Sequence, residues 1–172
     1  GNVLAEGSDS APVFFLPADG TNAWGQMTVS GPDGFLTLHH AELVAGQMRV
    51  FNDGTLTLED CVLRNLYARQ ILEGNYGRQL TLRRTQLRNY AQSHIDFTPT
   101  LVEDCLFEEI TSDAMDFAGA PAEIIVRRTT WRNGYGGNTD AIDLGNNRDV
   151  LIEDSLIHNF PDKGISIADN SH

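Results

Sequence analysis

The sequence is poor in basic and in cysteine side chains. Its 172 residues include 12 Lys and Arg against 24 Asp and Glu, a formal net charge of −12, and 2 cysteines. Binding to nucleic acid phosphates requires clustered basic side chains, so we expect no nucleic acid partner. No apolar stretch reaches the length of a membrane span, and the closely spaced Cys/His pattern of a zinc site is missing. The acidity favours solubility or a cation site.

What the sequence does contain is an internal repeat. Its six copies place one residue, small in each case, in a central column at intervals of 20, 24, 20, 24 and 26 residues. The residues of this central column are Ala41, Cys61, Thr85, Cys105, Thr129 and Ser155. Self-similarity at such a period is typical of a solenoid, in which each unit buries its apolar face against its neighbours.

The period inside each copy indicates the kind of solenoid. Apolar and polar residues alternate in stretches such as TLTLE at 55–59 and QLTLR at 79–83, which is the pattern of a half-buried strand. A bulky apolar column follows the central column by two positions, in Leu43, Leu63, Leu87, Phe107, Trp131 and Ile157. Copies this short hold two or three strands and no ten-residue helix. The sequence therefore predicts an all-β chain, a parallel β-helix of about 6–7 coils of 20–26 residues.

A further column supports this fold. It reads Asn65, Asn89, Glu109, Asn133 and Asn159. An asparagine at the same corner of successive coils can adopt a tight turn and hydrogen-bond along the stack. With this column the chain resembles the right-handed parallel β-helix superfamily that includes pectate lyases and polygalacturonases. The resemblance covers almost the whole length and implies a right-handed solenoid in a secreted or cell-surface protein.

The chain is expected to form a single domain, residues 1–172, because no Pro- or Ser-rich linker divides it. Residues 1–33 are interpreted as less regular front coils and residues 34–172 as the regular coils. Both ends of such a stack expose unpaired backbone and apolar surface. We therefore expect a fragment of a longer helix, with further coils or domains of the same parent protein as partners at both ends.

The two cysteines share the central column but lie two coils apart, with Thr85 between them. Their Cα atoms are then roughly 9–10 Å apart at the usual strand spacing, which exceeds the reach of a disulfide. We predict that Cys61 and Cys105 are buried free thiols.

Acidic residues recur along the second alternation of each coil. Asp96, Asp116 and Asp143 are predicted to share one column, and Asp113 and Asp140 lie three positions earlier in their coils. Stacked carboxylates about 5 Å apart repel one another unless they are protonated, paired or metal-bound. One interpretation is a calcium site formed by Asp113, Asp116, Asp140 and Asp143, since calcium takes several carboxylate oxygens. The other interpretation leaves these acids solvated or paired with basic side chains.

A second motif joins NTDAID at 138–143 to PDKGI at 161–165. It is similar to the polygalacturonases, in which an NTD motif is followed about a coil later by a DD pair. That resemblance implies that Asp140 is one carboxylate of an inverting hydrolase of uronic acid polymers and that Asp162 is its proton donor. Lys163 stands where that family has its second aspartate. A calcium-dependent uronate lyase on the same scaffold would instead use Lys163 as its base.

Two loops and one histidine complete the candidate site. Tyr76 and Tyr135 lie in Gly- and Asn-rich loops and could flank a groove that binds glycans, and His94 projects near the acids. Three functions fit these residues: a non-catalytic extracellular scaffold, adhesive or glycan-binding module; a polysaccharide hydrolase or lyase; and a self-stacking assembly module. The first is favoured because the repeat accounts for nearly every residue, whereas the catalytic motif is broken at Lys163.

Overall fold

The chain was analysed as a computed structural model that describes residues 1–18, 25–75, 77–95, 97, 99–117, 123–145 and 149–167, with the side chains of 66–71 and 73–75 excepted. The strands are β1 (Asn2–Glu6), β2 (Val13–Phe15), β3 (Gly25–Ser30), β4 (Phe35–His39), β5 (Ala41–Val44), β6 (Gly46–Phe51), β7 (Thr55–Glu59), β8 (Val62–Asn75), β9 (Gln79–Arg83), β10 (Gln86–His94), β11 (Thr100–Glu103), β12 (Leu106–Ile110), β13 (Met115–Asp116), β14 (Glu123–Arg127), β15 (Thr130–Gly134), β16 (Ile142–Asp143), β17 (Asp149–Glu153), β18 (Leu156–His158) and β19 (Ile165–Ser166). The described residues contain no helix that is long and apolar enough to cross a bilayer.

The strands form three parallel faces. The first face is a seven-stranded sheet in the order β1, β4, β7, β9, β11, β14 and β17. Pairs on the second face link β2 to β5, β5 to β8, β8 to β10, β10 to β12, β12 to β15 and β15 to β18. Pairs on the third face link β3 to β6, β6 to β8, β8 to β10, β10 to β13, β13 to β16 and β16 to β19.

Each strand therefore pairs with the equivalent strand of the next coil, and every pairing between strands is parallel. The predicted all-β parallel solenoid is confirmed. Its right-handed winding and its number of coils stay predictions, because strand pairing fixes no hand and parts of several connections lie outside the described residues.

The core is a stack of inward side chains from all three faces. In the bulky column, Leu43, Leu63, Leu87, Phe107 and Trp131 are at most 1% exposed. The rings of Phe107 and Trp131 stack with centroids 5.5 Å apart and planes inclined by 10°. Burying each such side chain contributes about 1.5–3 kcal/mol. This explains the bulky column through packing alone.

Backbone conformation at the corners explains two other columns. The residue before each member of the central column from Ala41 to Ser155 has a φ of 47° to 55°. The asparagines of the second corner have φ values of 54° to 66°. Asparagine tolerates this left-handed conformation better than most residues. Asn89 Nδ2 donates to Asn65 Oδ1 at 3.3 Å and Asn159 Nδ2 to Asn133 Oδ1 at 3.1 Å, which confirms the predicted asparagine stack.

The central column is a hydrogen-bonded ladder. The backbone N–H of Cys61 donates to Thr85 Oγ1 at 3.4 Å, that of Cys105 to Thr129 Oγ1 at 3.3 Å, and that of Thr129 to Ser155 Oγ at 3.2 Å. Both cysteines are buried and free, as predicted. Burial raises the pKa of Cys61 to about 11 and that of Cys105 to about 12.

One predicted register is wrong. His94, not Asp96, pairs with Asp116 in the column that continues to Asp143. The physical reason lies at the corner between the second and third faces. There β10 runs on without a loop, whereas the next coil has a loop at residues 111–114 between β12 and β13, so the separation of paired residues rises from 20 at Tyr90 and Ile110 to 22 at His94 and Asp116. Counting along the chain missed this shift. Asp96 itself lies outside the described residues.

Candidate functional site

The candidate residues lie on stacked loops at the corner between the second and third faces. Asp113 lies between β12 and β13, Asp140 between β15 and β16, and Lys163 between β18 and β19. In the preceding coil this corner is spanned by the continuous strand β10. The loops therefore begin with the coil of Asp113, and the site spans three successive coils.

Carboxylates connect these loops to one another. Asp113 Oδ1 accepts the backbone N–H of Asp140 at 3.0 Å, and Asp140 Oδ1 accepts the backbone N–H of Lys163 at 2.9 Å. The backbone N–H of Ala141 in turn donates to the carbonyl oxygen of Lys163 at 3.1 Å. Asp140 is only 5% exposed. Since a buried N–H needs an acceptor, both aspartates satisfy backbone groups of the next coil.

Lys163 completes this arrangement with its side chain. Its Nζ lies 2.6 Å from Asp162 Oδ2 and 3.7 Å from Asp140 Oδ2. The pKa of Lys163 is raised, first by the hydrogen bond to Asp162 and then by the charge of Asp140. The three residues predicted to be catalytic are thus brought together, and they form one ion-pair cluster.

The four carboxylates predicted to bind calcium also lie near one another. The pKa of Asp113 is raised, mainly by burial, and Asp140, Asp116 and Asp143 each raise it further through their charges. No group of three or more His, Cys, Asp or Glu side chains within the described residues has the arrangement of a metal site. Calcium binding remains a prediction.

The other two acids of the third face, Asp116 and Asp143, also accept hydrogen bonds. Asp116 Oδ2 accepts a hydrogen bond from Gln92 Nε2 at 2.6 Å and lies 3.3 Å from His94 Nδ1. Asp143 Oδ1 accepts the backbone N–H of Gly145 at 3.1 Å. His94 therefore belongs to the same outer face as the acids, paired with one of them.

One of the two candidate tyrosines, Tyr135, lies in a described loop of the site. Tyr135 is 53% exposed in the loop that leads from β15 to Asp140. The carbonyl oxygen of Tyr135 accepts a hydrogen bond from Thr139 Oγ1 at 2.8 Å, which closes this loop on itself. Tyr76 lies outside the described residues.

A feature that the sequence prediction missed lies at the opposite side of the second face. Two adjacent columns alternate in charge from coil to coil where the first face turns into the second, and we call them the corner charge ladder. The ladder consists of Glu6, His39, Glu59, Arg83, Glu103, Arg127 and Glu153 in one column, and of His40, Asp60, Arg84, Asp104, Arg128 and Asp154 in the next.

Ion pairs run along this ladder. Arg84 Nε and Nη2 bind the two oxygens of Asp60 at 2.7 and 2.8 Å. Arg128 binds Asp104 in the same way at 2.7 and 3.1 Å. These arginines lower the pKa of Asp60 and of Asp104. The signal was visible in the repeat, since the two residues before the central column read HH, ED, RR, ED, RR and ED.

Comparison with known proteins adds no family to this description. No protein-family model matches the chain, and neither does a curated protein or a solved structure. The parallel β-solenoid therefore stands on the strand pairing itself.

Proposed function

We propose that this chain is a non-catalytic β-solenoid module that serves as a rigid scaffold in a secreted or cell-surface protein. The observation that carries the proposal is the hydrogen-bonded path from Asp113 through Asp140 to the backbone of Lys163. The conspicuous acids of the site act as acceptors that join coils. Their presence in the sequence is thereby accounted for without a reaction.

The hydrolase alternative fits this geometry less well. An inverting glycosidase keeps its carboxyl groups about 6.5–9.5 Å apart so that a water molecule fits on the far side of the sugar. Here the ammonium group of Lys163 contacts both Asp140 and Asp162. It takes up the space beside the acids, and one carboxylate oxygen of Asp140 is already bound to backbone.

The lyase alternative meets a different obstacle. A lysine that abstracts a proton near neutral pH needs a lowered pKa. The pKa of Lys163 is raised, because its ammonium group lies beside Asp162 and Asp140. A structural ion pair suits these residues better than a base does.

Two substitutions at Asp140 test whether its carboxylate stabilises the junction between coils. Asp140→Asn keeps an oxygen that can accept the N–H of Lys163, whereas Asp140→Ala leaves that N–H without its acceptor. This hydrogen bond is partly buried and its acceptor is charged, and a hydrogen bond to a charged group contributes about 1.5–3 kcal/mol. We expect Asp140→Ala to lower the free energy of unfolding by about that amount and Asp140→Asn to lower it less. Urea unfolding followed by circular dichroism measures both.

The same proteins are incubated with a panel of uronic acid polymers, with and without millimolar calcium. The scaffold proposal expects no new reducing ends and no unsaturated products from the native chain. Release of products that stops in Asp162→Asn would establish the hydrolase instead. Release that requires calcium and stops in Lys163→Met would establish the lyase.

A glycan-binding role of the scaffold is favoured by one observation, the exposure of Tyr135 beside the stacked loops. An exposed tyrosine offers an apolar ring that can pack against a sugar ring and a hydroxyl that can hydrogen-bond to it. If the module binds glycans here, the native chain should be retained on one or more immobilised polymers of the same panel. Tyr135→Ala should abolish this retention, and Tyr135→Phe should preserve it. Equal retention of both variants would remove this site.

A further inference from the structure

The last coil presents an edge and an apolar surface. Within the described residues, β17, β18 and β19 each end their row of paired strands. Ile165 is 41% exposed although its column partner Ile142 is 1% exposed, and Ile167 is 61% exposed. We call the outer side of these strands the end surface. It consists of Val150, Ile152, Ile157, Ile165 and Ile167 with the adjoining backbone.

The last members of the corner charge ladder, Glu153 and Asp154, lie beside this end surface. Inside the ladder an acid has basic neighbours on both sides, as Glu103 has Arg83 at 3.3 Å and Arg128 at 2.6 Å. Among the residues that the structure describes, Glu153 has a basic neighbour only on the inner side, where Arg127 lies at 2.6 Å. The side chain of Glu153 is 42% exposed. The alternation therefore stops at a point where a basic pair would come next.

We propose that the end surface docks a further parallel β-rung that carries two consecutive basic residues, Arg or Lys, beside Glu153 and Asp154. Three complementary features of the surface select such a rung. Its backbone edge offers hydrogen bonds to a parallel strand, as in recognition by strand addition. The exposed isoleucines offer apolar contact, and the two acids offer ion pairs that fix register.

A second copy of this chain is a poor occupant. Stacked head to tail, its first strand would place Glu6, the first member of the ladder, against Glu153. Stacked tail to tail, the two copies of β17 would bring Asp149 and Glu153 together, because these acids begin and end that strand. Like charges placed directly opposite each other on paired strands destabilise the pairing. The proposed partner is consequently a basic rung and not another copy.

The test appends one rung after His172 and measures thermal unfolding. The basic rung is a copy of residues 123–145, which carries Arg127 and Arg128 at its corner. The matched acidic rung is the same copy with Arg127→Glu and Arg128→Asp. Each rung is fused to the native chain and to a host with Glu153→Arg and Asp154→Arg. Hydrogen exchange of the amides of 149–158 reports docking independently of melting.

On the native host we expect the basic rung to give a melting temperature about 2–4 °C above that of the acidic rung, the shift that about 1 kcal/mol produces in a protein of this size. On the host with reversed charges the order should invert, and exchange of the edge amides should slow only in the matched fusions. The same order on both hosts, or four fusions without differences in melting and exchange, would overturn the proposal.

Discussion

Thr85 Oγ1 accepts the backbone N–H of Cys61 at 3.4 Å and donates to the carbonyl oxygen of Arg83 at 2.9 Å. The hydroxyl thus serves two backbone groups in two coils at once. Cys105 and Ser155 make the second of these contacts in their own coils, to the carbonyl oxygens of Glu103 and Glu153. The central column is small because it lies at a corner, and its members after Ala41 carry a hydroxyl or thiol that can bond to the backbone of that corner.

The first prediction concerns this hydroxyl. Thr85 is 0% exposed, so Thr85→Val leaves the N–H of Cys61 without its acceptor and should cost about 1–3 kcal/mol of unfolding free energy. Thr85→Ser keeps the hydroxyl and loses one methyl group, at about 0.8 kcal/mol. Urea unfolding of both variants gives the comparison. If serine proves as costly as valine, the ladder contributes nothing beyond packing.

The second prediction concerns Trp131, whose buried ring stabilises the fold while its unpaired polar atom destabilises it. The side chain is fully buried against Phe107, yet its Nε1 has no hydrogen-bond partner among the described residues. Trp131→Ala should cost about 3–5 kcal/mol through the cavity it leaves. Trp131→Phe keeps a ring beside Phe107 and removes the unpaired donor, so it leaves a smaller cavity and should cost clearly less than Trp131→Ala. Thermal and urea unfolding measure both, and equal losses would contradict this account.

The third prediction concerns pH, where two aspartates should act in opposite directions. The pKa of Asp113 is raised from 3.8, mainly by burial, so its contribution to stability is present at low pH and is lost as pH rises above that value. The pKa of Asp60 is lowered from 3.8 by Arg84, so its contribution is present above that value and is lost as pH falls below it.

Asparagine substitutions separate these two contributions. Relative to the native chain, Asp113→Asn should become more stable as pH rises from about 4 to 7, and Asp60→Asn should become more stable as pH falls from about 4 to 2. Unfolding free energies measured across this range give both differences. Flat differences for both variants would show that neither carboxyl changes its pKa on folding.

The cysteines give a fourth prediction. With pKa values of about 11 and 12 and almost no exposed surface, Cys61 and Cys105 hold very little thiolate near neutral pH. A thiol reagent such as Ellman's reagent should react slowly with the native chain at pH 8. In urea it should modify both residues rapidly. Fast modification of either cysteine without denaturant would contradict its placement in the core.

Much of the fold could be predicted because it depends on local repetition. Alternation of apolar and polar residues indicated strands, and the bulky column that ends in Trp131 and Ile157 indicated a shared core. The asparagine corner and the unpaired, buried cysteines followed from the same columns. Each of these features needs only that equivalent residues of successive coils stack, as they do in a solenoid.

The sequence by itself determined the solenoid and its core, because those depend on a period that can be counted along the chain. Tertiary structure alone decided the register at His94, since β10 turns a corner without the loop that the next coil has there, and this changes the count. It also decided that Asp113 and Asp140 hold the backbone of the next coil, and that the charge alternation at the corner joins coils through ion pairs. Those contacts link residues 20 or more positions apart, and only the distances between coils show which atoms meet.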